Sequence, residues 1–175
     1  MRKRGNEGQS IPWFNNQSEG VNLITSNTTP SAFRAVNITA QQPVTDGNLT
    51  KVSYPNEEFD IGNVYSPNVS TFIPQANGIY SITGSVFFIP ANAAINHRIS
   101  VFILVNNVER ARVDSFFVGG IAGGVNHTAS VNTILQLQAS DQVEVFVLAR
   151  GVSGIIQIDD EGTHFEAARV PSPTT

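Results

Sequence analysis

From Ser31 onward, apolar and polar residues alternate in short runs broken by turn chemistry. No stretch keeps an apolar period of about 3.6 residues over the roughly 10 to 12 residues that a helix needs. The alternation predicts strands at 32–38, 49–54, 69–73, 78–88, 96–105, 108–114, 127–137, 141–149 and 163–170. Between them lie Thr45-Asp46-Gly47-Asn48, Asn77-Gly78, Asn106-Asn107 and Ala139-Ser140-Asp141, all residues that tolerate tight turns. Asn106-Asn107, set between Phe102–Val105 and Val108, predicts a two-residue hairpin, because Asn accepts positive φ better than most side chains. Many short strands at such spacing predict an all-β sandwich or barrel.

The two faces of each strand carry a second message. In 79–88, Tyr80, Ile82, Val86 and Phe88 oppose Ile79, Ser81, Thr83, Ser85 and Phe87, the pattern of a half-buried strand with apolar ends. In 141–149, by contrast, Val143, Val145 and Val147 oppose Phe146 and Leu148, and in 99–105 Ile99, Val101, Ile103 and Val105 oppose Phe102 and Leu104. A sandwich strand has one inner face, so the second apolar face needs a cover. A neighbouring subunit is the simplest one, which marks Phe102, Phe146 and Leu148 as candidate interface residues. A long loop of the same chain is the alternative.

With 175 residues and 41% hydrophobic residues, the chain suits one domain with a proper core, placed at 31–170. Residues 1–30 are rich in Asn, Ser, Gln and Gly and read as a flexible polar leader, and 171–175 as a short tail. Gly5 and Gly8 are too few to start a collagen-like triple helix. The net charge is −4, and the basic residues are scattered singly except for Arg2, Lys3 and Arg4, so no stripe for nucleic acid exists. No cysteine is present, which excludes disulfides, thiol nucleophiles and Cys-ligated zinc. The basic start is followed by no apolar run of a signal peptide, and no window suits membrane insertion.

One stretch carries a recognisable motif: Phe59-Asp60-Ile61-Gly62-Asn63-Val64-Tyr65, then Ser70-Thr71-Phe72-Ile73-Pro74, then Asn77-Gly78-Ile79-Tyr80. It resembles the signature of the complement globular-head family, related in fold to tumour necrosis factor. Ala32-Phe33-Arg34-Ala35 resembles that family's first strand, and His164-Phe165-Glu166-Ala167 stands where its last should be. The resemblance implies a jelly-roll sandwich of two antiparallel sheets, about ten strands, assembling as a homotrimer. Within the motif, Phe59, Tyr65, Phe72 and Tyr80 are expected to fill the core and Gly78 to allow a tight turn into the long strand. Thr71, Ser81, Ile82 and Glu166-Ala167-Ala168 depart from the vertebrate pattern. The chain in this respect resembles the bacterial branch found on spore and cell surfaces.

The chemistry of an enzyme is missing from the pattern. His97, His127 and His164 stand about 30 residues or more apart without the spacing of a local metal clamp, and read as surface or interface histidines. Asp159-Asp160-Glu161 is a weak candidate calcium site, and family heads sometimes hold calcium near the trimer apex; a solvated acidic turn is the plainer reading. Gly119–Gly124 lacks the Lys-Ser/Thr of a phosphate loop, Ser153 lacks a nucleophile elbow, and Glu57-Glu58 nominates no glycosidase. The Asn-x-Ser/Thr triplets at Asn16, Asn27, Asn37, Asn48, Asn68 and Asn126 read as polar loops.

These readings converge on a non-enzymatic homotrimeric recognition or adhesion head, extracellular or on a cell or spore surface. It would bind a protein or glycan through multivalency and use no obligatory cofactor. A structural coat or fibre-tip trimer without a soluble ligand is the alternative. A hydrolase would need His and carboxylates gathered in a pocket.

Overall fold

The computed structural model describes residues 30–119 and 127–171. The leader before residue 30, most of the glycine-rich stretch, the triplets at Asn16, Asn27 and Asn126, and the tail after residue 171 lie outside the described residues.

Among the described residues, thirteen strands form two antiparallel sheets: β1 (Ala32–Asn37), β2 (Gln42–Val44), β3 (Leu49–Lys51), β4 (Asn56–Ile61), β5 (Tyr65–Ser66), β6 (Thr71–Phe72), β7 (Gly78–Pro90), β8 (His97–Val105), β9 (Val108–Phe117), β10 (His127–Leu137), β11 (Val143–Arg150), β12 (Gly154–Ile156) and β13 (Asp159–Val170). The first sheet runs β2-β12-β7-β13-β1-β4, with β10 along the other edge of β7; the second runs β5-β6-β11-β8-β9, with β3 also on β11. The architecture is the all-β jelly-roll sandwich expected from the sequence.

The long strands lie close to their expected places because each has a clear inner face. Along β7, Tyr80, Ile82, Gly84, Val86 and Phe88 point inward; along β11, Val143, Val145, Val147 and Ala149 do so, and these meet in one core. Gly84 lets the sheets close, since a Cβ there would stand 2.7 Å from Val145 Cγ2. Asn106 and Asn107 both have positive φ, 52° and 65°, and join Val105 to Val108 in the expected two-residue hairpin.

The differences have physical causes. β2, β5 and β12 are only two or three residues long, too short to show a period. β4 begins Asn56-Glu57-Glu58, polar because it is an edge strand paired only with β1. β13 starts at Asp159, before the expected 163, and β9 runs on to Phe117.

Phe59 is not a core residue: it is 45% exposed. A register shift between Arg34 and Ala35 leaves Phe59 opposite the outward-facing Arg34. Its neighbour Asp60 turns inward instead and accepts the backbone N–H of Val64 and Tyr65, both at 2.9 Å. Gly62 (φ 101°) and Asn63 (φ 53°) make the turn that allows this. Gly78 does not use positive φ; its missing Cβ leaves room for Arg169, whose Nε would lie 2.6 Å from it. Tyr65, Phe72 and Tyr80 are buried as expected.

The sandwich has two distinguishable ends. Ala32 pairs with Ala168 and with Ile61, and Leu137 with Gly78, so residues 30 and 171 lie at one end with the Asn106-Asn107 hairpin and the 138–142 turn. His127 pairs with Phe88, Phe117 with His97, and Arg98 with Arg150, which places these residues at the opposite end.

Candidate binding faces and a buried histidine pair

The outer face of the second sheet is a ladder of rungs fixed by register. Phe146 lies beside Phe102 and Phe102 beside Arg112; on the other edge Phe146 meets Lys51 and Leu148 meets Leu49. Phe102 is only 7% exposed in the single chain. The Arg112 guanidinium lies 5.9 Å from its ring centroid, and Phe146 stands directly opposite it on β11. Phe146 and Leu148 remain half-buried and Leu49 is exposed. An apolar strip therefore stays open along Leu49, Leu148 and Phe146.

The outer face of the first sheet holds a second open strip. Phe59, Ile61 and Ile134 are exposed there, Ile134 at 68%. Ala32, Ala168, Ser81 and Thr83 keep the surface between them low, and shallow clefts run over Ala32 and Ala168.

The acidic residues Asp159, Asp160 and Glu161 stand at the start of β13. The Asp159 carboxylate accepts the backbone N–H of Glu161 at 2.9 Å and that of Gly162, while the Asp160 carbonyl takes Arg34 Nη2 at 2.9 Å. Among the described residues no three His, Cys, Asp or Glu side chains are gathered for a metal. The Asp159 side chain thus braces the backbone turn at the start of β13.

Two of the three histidines differ from their sequence reading as surface residues. His97 on β8 and His127 on β10 come from different sheets, and their rings meet with centroids 5.1 Å apart; both are buried. Phe117 stacks on both, at 3.4 Å from His127 and 5.2 Å from His97. The His97 Nδ1 lies 2.8 Å from the Ile95 carbonyl, which fixes a donor there and leaves Nε2 unprotonated in the neutral ring. Each Nε2 is buried without a hydrogen-bond partner. His164 stands apart, with Nδ1 at 2.7 Å from the Glu161 carbonyl. Spacing along the chain could not reveal the His97–His127 contact, because β7 brings β10 beside β8 only through the sandwich.

Burial, and then the neighbouring His97, push the His127 pKa below its ordinary value. The unfolded chain therefore binds a proton at His127 more readily than the folded one, so its contribution to stability is present near neutrality and is lost as pH falls through the depressed value. The expected result is a urea midpoint that drops between pH 7.5 and 5 in the native chain and drops less in His127→Gln. Equal drops would remove His127 as the cause.

No protein-family model and no curated protein matches the sequence. Solved structures do match the fold. The chain is similar to the Eiger TNF of S. frugiperda, with a TM-score of 0.65 and 10% identity over 85% of this chain and 97% of that one. It is similar to the globular domain of zebrafish complement 1qA protein, with a TM-score of 0.58, 11% identity and coverage of 82% and 99%. Murine APRIL matches at a TM-score of 0.59, with 12% identity and coverage of 81% and 99%. The fold is therefore the jelly roll shared by tumour necrosis factor and the complement globular heads, reached here with little sequence in common.

Proposed function

We propose that the protein is a non-enzymatic homotrimeric recognition or adhesion head displayed outside the cell, on a bacterial surface. The observation that carries the trimer is the pair of open apolar strips on opposite sheets: Phe59, Ile61 and Ile134 on one, Leu49, Phe146 and Leu148 on the other. A cyclic ring joins two different patches of each copy, and a chain with two such patches has what a heterologous contact requires. Phe102 underlies the second strip and would stiffen it. The bacterial setting rests on the departures at Thr71, Ser81, Ile82 and Glu166-Ala167-Ala168. Three rigidly held sites would raise avidity by roughly 10² to 10⁴ without a new contact.

Light scattering after size exclusion tests this reading. A mass near three times 18.8 kDa is expected, with collapse toward one chain in Leu148→Asp and in Ile134→Asp. A native chain that runs as a monomer at micromolar concentration overturns the trimer. A trimer that binds no protein or glycan would favour the coat or fibre-tip role.

A further inference from the structure

At the end of the sandwich away from residues 30 and 171, one rung of the second sheet is unlike the rest. Arg150 on β11 lies directly opposite Arg98 on β8, and Arg98 lies directly opposite Phe116 on β9. Directly opposite residues of an antiparallel pair share a face, so two guanidinium groups and a phenyl ring stand side by side on the outer surface. Like charges in that position repel and weaken the sheet.

Arg34, Lys51 and Arg112 each have a carboxylate partner. Among the described residues Arg98 and Arg150 have none. The carboxylate one rung away, Asp114, is already held by Ser100 and by Arg112 Nε at 3.3 Å. The Nε of Arg98 is buried without a hydrogen-bond partner. Arg98 and Arg150 line an open cleft of about 460 Å³. Beside the arginines it presents Phe116 and Val118, which are 71% and 75% exposed. The Arg98 guanidinium sits 5.6 Å from the Phe116 ring centroid, within cation–π range of its face.

We propose that this cleft binds an acidic saccharide, its carboxylate held by Arg98 and Arg150 and its sugar ring laid against Phe116 and Val118. Paired guanidinium forks match the planar geometry of a carboxylate and supply the charge-assisted bonds that the two arginines lack. The aromatic and aliphatic surface beside them suits the apolar C–H face of a sugar ring. The cleft falls within the roughly 300–1,000 Å³ of small-molecule sites and is larger than a lone inorganic anion needs. The site names the ligand class for the recognition head and rests on that reading only for its multivalency, because every residue belongs to one chain.

The test is calorimetric titration of the full chain with trigalacturonic acid at low ionic strength. Binding is expected, weakening as salt rises. Arg98→Gln and Arg150→Gln should each weaken it by about tenfold or more. Phe116→Ala should weaken it too, and Arg110→Gln, at an exposed arginine elsewhere on β9, should leave it unchanged. Folding is checked by urea midpoint, which should hold or rise in Arg150→Gln as the like-charge pair is relieved.

Equal binding of the neutral galactose trisaccharide, or no effect of either arginine substitution, overturns the proposal. Competition by triglutamate as effective as by the saccharide would overturn the sugar ring as the body recognised. A trimer that fails to bind trigalacturonate sinks this inference and leaves the assembly standing; a monomer that binds it does the reverse.

Discussion

Phe33→Ala is expected to lower the unfolding free energy by about 4 kcal/mol. The Phe33 ring is 1% exposed and sits where β1 meets the second sheet. It stacks on Tyr65 at 4.5 Å with planes 9° apart, meets Phe165 edge-on at 5.0 Å, and lies 5.2 Å from Phe72. Removing it costs the transfer of a large apolar surface and opens a cavity between rigid rings that cannot collapse to fill it. Phe33→Leu should lose much less, since most of the volume is kept. Urea unfolding read by circular dichroism at one fixed protein concentration measures both, because an oligomer's stability depends on concentration. A loss below about 1 kcal/mol in the alanine variant would mean that the aromatic cluster is not packed as described.

A steep loss of stability above pH 10 is the second large effect. Tyr54 is fully buried and donates its hydroxyl to the Ser85 carbonyl at 3.0 Å; Tyr65 donates to the Tyr54 carbonyl at 2.8 Å. Burial pushes both phenols well above the ordinary tyrosine value. Both are raised in the folded state, so the unfolded chain gives up these protons first, starting near its ordinary pKa of about 10. The stabilisation is thus whole below that pH and declines as pH rises toward the folded values. Two such groups give a slope of up to about 2.7 kcal/mol per pH unit. Urea midpoints at pH 8, 10 and 11 should fall accordingly, and Tyr54→Phe should halve the slope even though it weakens the protein at neutral pH. A flat profile to pH 11 would show that solvent reaches both hydroxyls.

The long strands could be read from the sequence because burial on one face writes a two-residue period into the chain. The Asn106-Asn107 hairpin was legible because few other residues accept its backbone angles. The short edge strands were not, since β4 carries Asn56-Glu57-Glu58 where a pattern would be sought. Phe59 misled because a motif fixes which residue is aromatic but not on which side of a bulge it falls. The arginine cleft was beyond reach for a different reason. Arg98 and Arg150 become neighbours only through the register of β8 on β11, and register depends on which valines face the core, not on either arginine. The same holds for His97 and His127, whose meeting needs both sheets at once.

The placement of residues 30 and 171 decides how the domain can be handled and displayed. Arg169 N donates to the Ser31 carbonyl at 2.9 Å, so the first and last strands of the sandwich run side by side at the end far from Arg98, Arg150 and Phe116. A linker, tag or anchoring group joined directly at residue 30 or residue 171 would leave from that one pole. A biosensor surface coupled at residue 30 of a domain trimmed to 30–171, or at its residue 171, would therefore present the same opposite pole to the solution, and swapping the coupled end should not mask the cleft. A label on the Asn106-Asn107 hairpin would report on the mounting side instead, which makes that turn the place for a fluorophore meant to leave ligand capture undisturbed.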